Sequence, residues 1–162
     1  MEFLTVSGSY EALGEAWKRY TEYLRSVQDV LPPDVAAFAG ASWRYGPFDH
    51  RSLHDAWVES VRVTEGPTAG AKTRHVDIEV TLLGPFHDGH TTLSYADVTR
   101  YDLRLNHSSS RGPEGHEDWL IDEIRVSPTG GVIHEVVFSS GGSWLIECAT
   151  IRHATTAPAI SG

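Results

Sequence analysis

Three clusters of histidine and carboxylate hold most of the chemistry this sequence can offer. In the first, His50, His54 and Asp55, a helical segment would place both imidazoles on one face beside a carboxylate, the beginnings of a metal site. The same residues lead into a strand. There His50 and His54 share a face but stand too far apart for one ion, and His54 with Asp55 would satisfy each other or nearby amides. The second, His87, Asp88 and His90, lies in a glycine-flanked loop where Asp88-Gly89 reads first as a turn dipeptide. No metal or cofactor is expected from either cluster.

The third cluster runs from His116 through Glu117, Asp118 and Trp119 to Asp122 and Glu123. In a regular strand, Asp122 shares a face with Leu120, Ile124 and Val126. A carboxylate among core positions must find donors or stay protonated, since an unpaired buried charge is costly. Asp122 is therefore either a general base with a raised pKa or a structural acceptor. Glu123 points the other way, so the two acids form no dyad. His134 falls on the face of Val136 and Phe138, and an Asp122–His134 contact would be the best proton-transfer unit available, with His54 in reserve. It would equally serve as a buried structural pair. Cys148, alternating with Trp144 and Ile146, reads as a small core residue before a nucleophile.

These residues need elements to hold them. Tyr10, Leu13, Trp17, Tyr20, Leu24, Val27 and Leu31 recur at spacings of three and four, which predicts one amphipathic helix. Ser9 is placed to cap its start, and Pro32-Pro33 to end it. Asp34 can cap a further turn through Val35 to Phe38. Gly40 to His50 is an aromatic-rich connection carrying Trp43, Tyr45 and Phe48. The period then changes to two. Trp57, Val61 and Val63 begin the pattern, and Val76, Ile78, Val80 and Leu82 give its cleanest strand. Leu93 and Tyr95 continue into Tyr101, Leu103 and Leu105 with a bulge near Asp97. Leu120 to Val126, Val132 to Phe138 and Trp144 to Cys148 complete it. Short Gly/Ser connections make these last three an antiparallel meander. The expected fold is α+β: an N-terminal helix packed on an antiparallel, curved sheet of about six strands. It forms one domain over 1–153, with 154–162 a flexible tail.

At 162 residues the chain suits one domain, and its 40% apolar and 22% charged composition is that of a globular protein. No signal peptide, membrane-length apolar run, phosphate-binding loop, dinucleotide fingerprint or zinc pattern is present. One cysteine excludes an internal disulfide and fits a cytoplasmic setting. A formal charge of −9 disfavours nucleic acid and anionic membranes and favours a basic protein partner. Protonation of all nine histidines would cancel that charge, so solubility should fall as the pH approaches the pI of 5.4.

From Leu53-His54-Asp55 through Trp119 to Ile124, His134 to Ser139 and Trp144 to Cys148, the landmarks resemble a loose group of small bacterial α+β proteins. Some of these are similar to immunity proteins of polymorphic toxin systems. The resemblance covers the sheet, not the N-terminal helix, and implies protein binding rather than catalysis. The expectation is a non-enzymatic binding module, monomeric or homodimeric, with Trp43, Tyr45 and Phe48 as interface anchors unless they pack beneath the helix. The alternative is a small enzyme or ligand-binding domain whose pocket, between helix and sheet, uses Asp122 and His134.

Overall fold

A computed structural model describes residues 1–4, 10–67, 73–106 and 115–156, with the Tyr10 side chain, Ser9 and residues 157–162 outside that set. The opening stripe forms helix α1, Tyr10–Val27. It stops one turn earlier than the spacing predicts. The amides of Val30 and Leu31 both turn back on the Val27 carbonyl, which carries Leu31 off the helix and into the core. Helix α2, Pro33–Ala39, starts on proline without a side-chain cap, so Asp34 lies inside its first turn rather than at its cap. A short 3-10 turn, Ser42–Tyr45, follows.

Among the described residues eight strands then form two four-stranded antiparallel sheets, not one sheet of about six. Strands β1 (Trp57–Pro67), β2 (Arg74–Leu83), β3 (His90–Ala96) and β8 (Thr150–Thr156) make the first, in the order β1-β2-β3-β8. Strands β4 (Arg100–Arg104), β5 (Trp119–Val126), β6 (Val132–Phe138) and β7 (Ser143–Cys148) make the second, in the order β4-β7-β6-β5.

The expected single strand across Asp97 is two, because Asp97 adopts a left-handed backbone (φ 51°) and redirects the chain. Ala149 marks the matching corner between β7 and β8. Hydrogen bonds from Thr99 N to Glu147 O (2.8 Å) and Ala149 N to Ala96 O (3.0 Å) tie the corners together. Both chain segments thus switch sheets side by side, as in orthogonal packings. The expected meander is present: β5, β6 and β7 pair in sequence. Gly131 closes its first turn with φ 89°, where a Cβ would run into the Cys148 carbonyl.

Alternation fills the space between the sheets. Ile78, Val80 and Leu82 of β2, Leu93 and Tyr95 of β3, Val136 and Phe138 of β6, and Trp144 and Ile146 of β7 are all buried there. Two bulges shift the expected faces. An irregularity between Val58 and Ser60 turns Val58 and Val61 toward the core and leaves Trp57 half-exposed. One between Trp119 and Ile121 moves Leu120 to a second cluster with Leu4, Ala16, Tyr20 and Ile121, so Asp122 shares the core face with Ile124 but not with Leu120.

Among the described residues the outer edge of β5 is covered by a bridge and by side chains. Near its start it meets the approach to β1, through Asp55 N to Trp119 O (2.9 Å) and Trp119 N to Ala56 O (3.0 Å). Beyond that point side chains take over. The His54 Nδ1–H donates to Leu120 O (2.8 Å), and Tyr45, Tyr20 and Tyr23 place hydroxyls on Asp122, Ile124 and Val126. No helix among the described residues is long and apolar enough to cross a membrane.

Candidate functional site

Asp122 and His134 meet in the core. His134 pairs with Ile124 across the β5–β6 ladder, two positions from the Asp122–Val136 pair, so the two side chains are diagonal neighbours on the inner face. His134 Nε2 lies 2.8 Å from Asp122 Oδ2, and both side chains are fully buried. The cation beside them is Arg44, in the 3-10 turn, whose Nη2 pairs with the same Oδ2. Its Nη1 donates to the Ala39 carbonyl (3.0 Å), and its guanidinium lies 4.6 Å over the Phe38 ring. Asp122 Oδ1 accepts from the Tyr45 hydroxyl (2.5 Å) and Trp119 Nε1 (3.1 Å).

Four donors therefore occupy the four lone-pair directions that a carboxylate offers. Burial, and then the neighbouring Arg44 charge, hold the His134 pKa well below its usual value, so its imidazole is neutral. A neutral ring facing an acceptor-only carboxylate carries its proton on Nε2. Nδ1 then accepts from the Tyr95 hydroxyl at 2.9 Å. Burial also raises the Tyr95 pKa and pushes that of Tyr45 up to about 12, keeping both phenols as donors. The chain Tyr95–His134–Asp122–Arg44 runs unbroken through the core, with the buried Arg44 Nε left without a hydrogen-bond partner among the described residues.

Glu123 lies on the opposite face and is also fully buried. Its carboxylate accepts the amides of Glu2 (2.8 Å), Phe3 (2.7 Å) and Leu4. It anchors the N-terminal segment and stays apart from Asp122.

The other histidines disperse. His54, through its bond to Leu120 O, helps close the β5 edge, with Asp55 3.5 Å from its Nε2. His50 leaves it and joins the second cluster, with Nδ1 2.6 Å from Asp88 Oδ2 and its ring stacked on Phe86 (centroids 4.3 Å apart). His87 packs on Trp57 at 4.3 Å, and His90 pairs with Glu59 at 2.9 Å. Among the described residues no group of three or more His, Cys, Asp or Glu side chains is arranged for a metal ion.

The three aromatic candidates also part company. Trp43 is half-buried against Phe38 and His153, Tyr45 is spent on Asp122, and Phe48 is 88% exposed. Phe86 (47%) and Trp57 (46%) are exposed as well: Phe86 stacks on His50, two residues after Phe48, and Trp57, at the start of β1, packs on the adjoining His87. A hollow of about 420 Å³, lined by Trp57, Val58, Gly115, His116, Glu117 and Asp118, opens next to them. Asp55, His87 and Glu117, all at this end, have left-handed backbones with φ between 57° and 65°. Such strain in non-glycine residues clusters at functional surfaces.

Arg44, Tyr20 and Tyr23 had no warning in local spacing. The available signal was indirect: a carboxylate on a core face requires a buried cation or several donors. No protein-family model, curated protein or solved structure matches this chain.

Proposed function

We propose that this chain is a non-enzymatic protein-binding module, immunity-like or regulatory, acting in the cytoplasm on a basic protein partner. The observation that carries the reading is the exposure of Phe86 and Trp57, stacked on His50 and His87, with the exposed Phe48 two residues before His50, at an end of the fold that carries the left-handed Asp55, His87 and Glu117 and the carboxylates of Asp88 and Asp118. Aromatic anchors supply large contact area at low entropic cost, and the surrounding carboxylates complement a cationic surface. Saturation of Asp122 by internal donors supports binding over catalysis, since a base with no vacant lone pair cannot accept a substrate proton.

The test is capture from an extract of the source organism, comparing the parent chain with a Phe48→Asp/Phe86→Asp double variant of equal thermal stability. The parent should retain one specific basic protein and the variant should lose it. Equal recovery by both, or no specific protein on either, ends the reading. The 2.8 Å Asp122–His134 contact favours a second reading, a small enzyme using that pair. It requires an opening to the pair, and both side chains are fully buried.

A further inference from the structure

A second concave surface, sharing no lining residue with the hollow beside Trp57, lies between α1 and the α2/3-10 segment. It encloses about 530 Å³, within the range of about 300–1,000 Å³ typical of small-molecule sites. It exists because the two walls differ in side-chain size. On one side α1 presents Trp17, Tyr20 and Leu24; on the other are Ala36, Ala39, Gly40 and Ala41, which cannot reach across. The tyrosines that span the gap hold it open, since Tyr20 and Tyr45 direct their hydroxyls past it onto β5. What remains toward the groove is aromatic ring, with Trp17 set edge-on to Tyr45 at 4.6 Å.

The polar groups of this groove lie at its rim. The Thr21 hydroxyl is already committed to the Trp17 carbonyl at 2.8 Å. Arg25, in the last turn of α1, has no carboxylate partner among the described residues in a chain of net charge −9, and Gln28 and Ser42 stand beside it. A lone unpaired guanidinium beside an apolar slot selects an occupant with one negative charge and a flat apolar body. A phosphate would need more donors than this rim supplies. We infer that the groove binds a planar aromatic carboxylate, with its ring between Trp17 and the Ala36–Ala41 wall and its carboxylate on Arg25.

The experiment is an amide chemical-shift titration of the full chain with 1-naphthoate, alongside uncharged 1-naphthylmethanol. Shifts should concentrate on Thr21, Arg25, Gln28, Gly40 and Ala41. Arg25→Gln should weaken naphthoate about three- to fivefold, the size expected for a rim-exposed ion pair, and leave the alcohol unchanged. Ser42→Trp, which fills the slot from its solvent side, should abolish both. No saturable shifts, shifts centred elsewhere, or unchanged naphthoate affinity in Arg25→Gln would overturn the inference. Phe48 and Phe86 play no part in it, so its failure and that of the protein-binding reading are separable.

Discussion

The Tyr20 hydroxyl does for Ile124 what a neighbouring strand would do. It accepts the Ile124 amide at 2.6 Å and donates to the Ile124 carbonyl at 3.2 Å. Tyr45 does the acceptor half of this at Asp122, taking its amide at 3.2 Å while donating its own proton to the Asp122 carboxylate, and Tyr23 accepts the Val126 amide at 2.9 Å. Alternate residues of an edge strand point their backbone groups outward, so side chains two residues apart along β5 suffice to satisfy them. Tyr20→Phe keeps the ring and strands both groups of Ile124 in a buried setting. It should cost about 1–3 kcal/mol in urea unfolding. Tyr23→Phe, which frees one less buried amide, should cost less. Equal effects would mean that the hydroxyl bonds do not order the edge.

Arg44 and Asp122 are mutually dependent. Arg44→Met leaves the Asp122 carboxylate buried beside neutral donors only, and removal of one member of a buried pair costs about 3–5 kcal/mol. Asp122→Asn alone should also destabilise strongly, because the guanidinium then lacks its counter-charge. The double variant should be well above the sum of the two losses in stability. A double-mutant cycle by chemical denaturation measures this directly, and additive losses would show that the pair is not coupled.

Cys148 is 2% exposed, and burial pushes its thiol up to about 12. A thiol that is both covered and protonated is a poor nucleophile. Iodoacetamide at pH 8 should leave the native chain unmodified over a period in which the urea-unfolded chain reacts fully, as read by mass spectrometry. Native-state labelling at the unfolded rate would place Cys148 at an accessible surface.

The elements legible in the sequence were those whose alternation is itself the core. In β2, Ile78, Val80 and Leu82 are all inward and apolar, so pattern and burial coincide. Strand β8 was not legible, and its last three residues, 154–156, fall in the stretch that the sequence reads as a flexible tail. Of Thr150–Thr156 only Ile151 is buried, and the strand is held through its backbone ladder with β3. The sheet count failed for a related reason: the corner at Asp97 is set by one residue's φ, while the apolar pattern runs on past it. The site was half legible. Asp122 and His134 sit on diagonal core positions of adjacent strands, so their meeting follows from register. Arg44 lies 78 residues from Asp122, in an aromatic stretch where Trp43, Tyr45 and Phe48 were the conspicuous residues. The same applies to Tyr20, 104 residues from the backbone it covers. Contacts at such separations depend on the assembled fold, which no local spacing encodes.

His134 should set the acid side of the stability profile. Its folded-state pKa is depressed, first by burial and then by Arg44, whereas in the unfolded chain it titrates near 6.5. Below pH 6.5 the unfolded chain takes up a proton that the native chain refuses. Stability therefore falls with falling pH, approaching about 1.4 kcal/mol per pH unit for this residue, until the folded pKa is reached. His116 and His153, also lowered by burial, add in the same direction. Urea midpoints between pH 7 and 5 measure the slope, in a window above the main titration of the carboxylates. His134→Gln retains a side-chain donor toward Asp122 but cannot titrate, so it should lower stability at pH 7 and flatten the profile below 6.5. A slope unchanged by that substitution would mean that His134 is protonated in the native core, with its Nδ1–H donating to the Tyr95 oxygen instead of accepting from it.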